Sequence, residues 1–239
     1  MNEEHPLVAD TYNEHSEDYA LMVTDNIYNA MYERPAILDL LPSLEGKHVL
    51  DAGCGPGFQT CWMVEHGAQV TAVDVSSKMI AIAQKRVGDG ATFRQHDLSQ
   101  PLHFLADQSQ DIVLSSLAVH YIFDLQQLFT EYARILKPNG RFLFSTGNPI
   151  LEKEYFKRED YFATELVYDV WRVNETLMEV KYYARPLSAI TSALAEAGFW
   201  IENIIEPKPT MEAKEKFPEP YDFLSKNPWF IIFQTRKKG

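Results

Sequence analysis

The stretch VLDAGCGPG, residues 49–57, most constrains what this chain can become. An apolar run ends in an acid and then breaks into glycines at alternate positions, Gly53, Gly55 and Gly57. Glycine is needed where backbone turns tightly or comes very close to another group. A strand ending in such a turn and leading into a helix puts the turn at the carboxyl edge of an α/β sheet, where doubly wound folds bind their ligands.

The flanking pattern extends that reading. KHVLDA (47–52) reads as a strand, and Phe58 to His66 as a helix stopped by Gly67. AQVTAVD (68–74) is a β-branched strand ending in an acid. Ser76 then caps a helix that carries Met79, Ile80, Ile82 and Ala83 and ends near Gly88. ATFRQHD (91–97) and DIVLSS (111–116) are further strands. Leu125, Leu128, Phe129, Tyr132, Ile135 and Leu136 form a helical stripe that stops at Lys137-Pro138-Asn139-Gly140, before the strand RFLFST (141–146). The alternation predicts an open α/β sheet with parallel strands.

The 239 residues suit a single domain, with residues 1–44 as N-terminal helices or a lid and 45–149 as a ligand-binding core. Residues 150–186, rich in aromatics and charges, read as an insertion with strand-like runs at 166–170 and 177–183. Residues 187–239 return to the sheet, interrupted by a proline-rich loop at 207–228. The formal net charge of −12 disfavours a nucleic-acid partner. Cys54 and Cys61 show no metal-ligand spacing, so no metal is expected, and they suit a reducing compartment. With no signal peptide and no membrane span in view, the expected location is cytoplasmic.

Three features fall at the carboxyl edge: the glycine turn, Asp74 and Asp97. The spacing from Gly53 to Asp74 suits a carboxylate that accepts the two hydroxyls of a ribose. The position where a dinucleotide site needs its third glycine is Phe58, and no P-loop is present. Asp51, just before the glycines, would repel a pyrophosphate but suits an ammonium or sulfonium. Together these point to S-adenosylmethionine.

With these residues the sequence resembles the class I S-adenosylmethionine-dependent methyltransferases, of the small-molecule type related to ubiquinone and menaquinone biosynthesis. VLDAGCGPG, AVDVSSKMI, RQHDL and the run from DIVLSSLAVH to KPNGRFLFS carry the resemblance, closely over residues 47–146. It implies a Rossmann-like, doubly wound, mostly parallel seven-stranded sheet whose last strand is antiparallel, which WFIIFQT (229–235) can supply. It implies that Ala52, Gly53, Cys54, Gly55 and Gly57 pass under the methionine moiety and that Asp51 faces its ammonium. Asp74 would hold the ribose, Val75 and Met79 would lie along the adenine, Asp97 and Leu98 would bracket its amino group, and Ser115 and Ser116 would border the methionine end. Tyr12 and Tyr19 would fold over the cofactor, where an aromatic ring attracts a sulfonium.

The expected reaction is in-line methyl transfer to an oxygen, nitrogen or carbon of a small molecule, whose pocket residues 150–186 would cover with Tyr155, Phe156, Tyr161, Phe162, Tyr168, Trp171, Tyr182 and Tyr183. His120 is the candidate base, with Tyr121 behind it. Two rival readings keep the sheet and Asp74: a nicotinamide-dependent oxidoreductase and a non-catalytic adenosine-binding protein. Protein methylation stands as a further possibility.

Overall fold

The computed structural model describes residues 7–239. Glycine punctuation and β-branched runs set the strands β1 (His48–Ala52), β2 (Gln69–Asp74), β3 (Ala91–Gln95), β4 (Gln110–Ser115) and β5 (Leu136–Gly147). A hairpin of β6 (Glu165–Val173) and β7 (Thr176–Ala184) follows, then β8 (Phe199–Ile205) and β9 (Phe230–Lys237). Seven of them form one sheet in the order β3-β2-β1-β4-β5-β9-β8, with β6 and β7 paired separately. β9 runs antiparallel to both neighbours and the other pairings in the large sheet are parallel, as expected.

The two-residue period of each strand divides the core into two layers. Leu50, Val73, Val113, Phe142, Phe144 and Phe233 face one side, with Leu125, Leu128, Phe129, Tyr132 and Ile135 packed on them. Val49, Val70, Ile112, Leu114, Leu143 and Ile232 face the other. The helices are α1 (Ala9–Glu14), α2 (Ser16–Asp25), α3 (Arg34–Leu38), α4 (Phe58–Glu65), α5 (Ser77–Val87), α6 (Leu125–Ile135), α7 (Pro149–Tyr155), α8 (Leu187–Glu196), α9 (Met211–Lys216) and α10 (Pro218–Lys226). In α6 the residues at helical spacing, Leu125, Leu128, Phe129, Tyr132 and Ile135, are all buried, and Asp124 caps the start by accepting from the Gln127 N–H at 2.9 Å. Met63 of α4, Ile80 of α5 and Ile37 of α3 cover the opposite layer. None of the helices among the described residues is long and apolar enough to cross a membrane.

In the N-terminal helices a π-helical turn, Asn29–Glu33, joins α2 to α3 and brings Glu33 fully inside. One segment differs from expectation. Residues 207–228, expected as a loop, hold α9 and α10. Pro218 begins α10, where a fixed φ and a missing N–H cost nothing, and Leu224 is buried against Ile27, Met31 and Tyr32. Proline density misled because two of the prolines stand at a helix start.

The glycine turn joins β1 to α4. Gly57 has φ +81°, and a Cβ there would meet the Ala83 Cβ at 2.8 Å and its Cα at 3.0 Å. Gly55 has φ +51° with open space around it. Gly57→Ala combines left-handed strain with overpacking against α5 and should cost about 2–4 kcal/mol. Gly55→Ala, which meets strain alone, should cost about 1–2 kcal/mol. Urea unfolding of the ligand-free variants checks the order; equal losses would contradict it.

Candidate functional site

The strand order reverses between β1 and β4, and a cavity of about 490 Å³ opens outside the carboxyl ends of β1, β2 and β4. Gly53, Cys54, Gly55, Asp74, Val75, Met79, Asp97, Leu98 and Ser116 line it from the sheet side, and Tyr12 and Tyr19 from α1 and α2. Ala52, Asp51, Gly57 and Ser115 stand behind that wall. Gly57 packs against α5, and Ser115 Oγ donates to the Ala52 carbonyl at 2.9 Å, fastening β4 to β1. Asp51 is 1% exposed and accepts from Thr60 Oγ1 at 2.5 Å; burial pushes its carboxyl up to about 7.

Asp74 is held from both sides. Its Oδ2 accepts from the Gly55 N–H and its Oδ1 from the Ser76 N–H, each at 2.9 Å. Burial raises its carboxyl above the usual range, and these backbone donors oppose the rise. Each oxygen keeps a second lone pair, so the carboxylate can take two further donors such as a vicinal diol. Asp97 is turned onto its own loop, accepting from the Ser99 N–H at 2.8 Å and from Ser99 Oγ at 2.7 Å.

Several residues at this site carried no sequence signal. Asn13 Oδ1 accepts from Ser76 Oγ at 2.7 Å, pinning α1 to the loop after β2. Arg34 lines the cavity, donates Nη2 to the Val23 carbonyl at 2.8 Å and leaves a buried Nε without a partner. Its guanidinium lies 4.1 Å from the centre of the Phe58 ring, with that of Arg86 at 3.6 Å. Ser116 Oγ donates to Glu33 Oε1 at 2.8 Å, as does Ser145 Oγ at 2.6 Å, so the buried acid of the π-helical turn grips the ends of β4 and β5. Burial pushes the Glu33 carboxyl up.

A second cavity, of about 600 Å³, adjoins the first. Tyr12, Tyr19, Asn29, Leu117 and Tyr121 line both. The Tyr12 and Tyr121 hydroxyls are 2.8 Å apart, joined across this partition. Of the aromatics expected around an acceptor, Tyr155, Trp171 and Tyr182 line the second cavity, and Phe156 packs edge-on against Tyr182. Tyr183 faces the first cavity, the Tyr161 hydroxyl accepts from the Leu187 N–H, and Phe162 and Tyr168 are exposed. Tyr28, Phe223, Trp229 and Phe230 complete the wall from outside residues 150–186.

His120 lines the second cavity, with Nδ1 3.4 Å from Thr146 Oγ1. Burial, helped by the Arg185 charge, pushes it down to about 3. That makes it a neutral imidazole and a weak proton acceptor at physiological pH. Glu152, which sequence reasoning passed over, lines the same cavity, and its carboxyl is pushed up to about 7 by burial.

Comparison with known proteins places this geometry. Residues 50–144 match the family described as a methyltransferase domain. An S-adenosylmethionine dependent methyltransferase of Mesorhizobium loti, solved as a crystal structure, is 30% identical. It superposes with a TM-score of 0.68 over 86% of this chain and 97% of its own. The chain belongs to the class I S-adenosylmethionine-dependent methyltransferases. Its cofactor is therefore S-adenosylmethionine, which displaces the oxidoreductase and non-catalytic readings. This methyltransferase is also 28% identical over 226 residues to an uncharacterized protein of Haemophilus influenzae, covering 87% of this chain and 88% of that one. A ubiquinone biosynthesis O-methyltransferase of Coxiella burnetii is 34% identical over 108 residues, which cover 44% of this chain and 46% of that enzyme. The chain thus spans less than half the length of that relative.

The donor set of the first cavity fits the cofactor: a braced carboxylate for a diol, apolar Val75, Met79 and Leu98 beside it, and a guanidinium with an unused N–H for a carboxylate tail. The buried acids near it carry a stability consequence. Asp51 keeps its proton up to about pH 7 in the folded methyltransferase, whereas a free aspartate loses it near 3.8. Between those values the folded state binds more protons than the unfolded one, so stability falls as pH rises through the window. Asp51→Asn keeps an acceptor for Thr60 and removes this titration. Its urea midpoint should drop less than the wild-type midpoint between about pH 5 and about pH 8. An equal drop would mean that Asp51 is not the source.

Proposed function

We propose that this methyltransferase acts on a small organic molecule held in the second cavity, next to the cofactor in the first. The observation that carries the reading is the shared partition: Tyr12, Tyr19, Asn29, Leu117 and Tyr121 face both spaces. Methyl transfer needs donor and acceptor in direct line, and adjoining cavities that share lining residues put the two next to each other. A volume of about 600 Å³ under aromatic rings suits a small ligand.

In this reading Asp74 accepts the ribose hydroxyls, and Val75, Met79, Asp97 and Leu98 surround the adenine. Gly53, Cys54, Gly55 and Ser116 border the methionine end, with Arg34 reaching its carboxylate. Asp51, Ala52, Gly57 and Ser115 act from behind, holding the turn in shape. Tyr12 and Tyr19 roof the reacting centre. Bound there, S-adenosylmethionine supplies an electrophilic methyl group on a sulfonium. The protein contributes orientation and a dry wall around the nucleophile. His120, neutral and packed at 4.4 Å from Tyr121, shapes the acceptor wall rather than serving as the base.

Two variants separate the cavities. Asp74→Asn should weaken S-adenosylhomocysteine binding at least about tenfold by calorimetry, with an unchanged circular-dichroism spectrum. Leu151→Trp, which fills only the second cavity, should leave that affinity intact. It should abolish S-adenosylhomocysteine release in the presence of the low-molecular-weight fraction of a cell extract. Release supported only by the macromolecular fraction would replace this reading with protein or nucleic-acid methylation.

A further inference from the structure

We propose that the acceptor is an amine, bound as its ammonium in the second cavity, and that Glu152 accepts its proton. The inference rests on reading that cavity as a small-molecule acceptor site.

Three groups able to take a proton face the cavity: Glu152, Asp169 and His120. Asp169 is already committed. Its Oδ1 accepts from the Tyr155 hydroxyl at 3.1 Å and the Val170 N–H at 2.9 Å, and its Oδ2 accepts from Trp171 Nε1 at 2.8 Å. It thereby fixes two rings of the wall. His120 is turned toward Thr146. Glu152 is 8% exposed; burial acts on its carboxyl together with the charges of Arg158 and Arg185, with no hydrogen bond to oppose the burial among the described residues. It lies against Gly147, where any Cβ would collide with its Oε1. A buried carboxylate without a donor is unfavourable, and a ligand that brings a donor relieves it.

The surroundings select a cationic donor. Tyr28, Tyr155, Trp171, Tyr182, Trp229 and Phe230 present rings to the space, and aromatic faces attract cations. The Tyr182 phenol is pushed up by burial and then by Glu152 and Asp169, so both carboxylates act on a ring that lines the cavity. Arg172 is the cation that lines it, and it is exposed. Arg158 and Arg185 lie behind Glu152. Arg158 is held by Glu165 and the carbonyls of Ala163 and Asp160, and Arg185 by the Ile122 carbonyl. They favour the ionised form of Glu152, opposing the burial that pushes it to about 7.

The step balances. The carboxylate takes one proton from R–NH3+, leaving R–NH2 with a free pair. That nitrogen forms its bond to the methyl carbon as the carbon–sulfur bond breaks, and the bonding pair stays on sulfur as a neutral thioether. The product leaves as R–NH2+–CH3, and Glu152 returns its proton to solvent.

Paired probes test this on the full chain loaded with S-adenosylhomocysteine: phenethylamine, tyramine and tryptamine against 2-phenylethanol, tyrosol and tryptophol. The amines should bind at least about tenfold tighter, and Glu152→Gln should erase the preference while leaving cofactor-product affinity unchanged. With the best amine, kcat/KM should rise with pH through about 7 in the wild type, and Glu152→Gln should lose that limb. Tighter binding or faster methylation of the alcohols would overturn the amine inference and leave the small-molecule reading standing. An amine preference retained in Glu152→Gln would overturn the role of Glu152. Binding of neither series also overturns the inference, and the extract assay above then decides separately whether the small-molecule reading survives.

Discussion

Two backbone N–H groups converge on the carboxylate of Asp74, one from Gly55 and one from Ser76, and the site depends on that convergence. The first bond holds the glycine turn against the end of β2. The second sets the loop from which Ser76 caps α5, accepting the Met79 N–H at 3.1 Å. Ser76 Oγ in turn donates to Asn13, so α1 is docked through the same loop. One acid therefore organises the floor, one side and the roof of the first cavity. Charge-assisted bonds of this kind are stronger than neutral ones, and burial makes their loss more costly.

The parallel sheet was legible because its central strands, β1 and β4, bury both faces. Val49 and Leu50, or Val113 and Leu114, point to opposite layers, and both kinds of position must be apolar. The glycine turn was legible for a second reason. Gly53 has φ +84°, and a Cβ on it would strike Ala118, a conflict that forces glycine into the sequence. Asp74 could be placed because it ends a strand at a fixed distance from that turn.

Less could be read where side chains meet through the fold alone. Nothing near Arg34 in the chain announces Phe58, and nothing near Glu33 announces Ser116 and Ser145. The π-helical turn that brings these pairs together has no periodicity of its own to recognise. The wall of the second cavity was legible only in part. Aromatics in residues 150–186 are dense enough to draw attention, yet Tyr168 faces solvent and Tyr28 and Trp229 arrive from distant segments. In the sequence Glu152 is one charge among many in residues 150–186; only the fold brings Gly147, Arg158 and Arg185 around it.

The bond between Tyr12 and Tyr121 ties α1 to the turn after β4 and forms part of both cavity walls. A ligand that orders these rings from one side prepares the surface that the other ligand meets. Where a ligand does so, occupancy of the two cavities is linked, and the linkage is reciprocal: the factor by which one occupant tightens the other is the factor by which it is tightened in return.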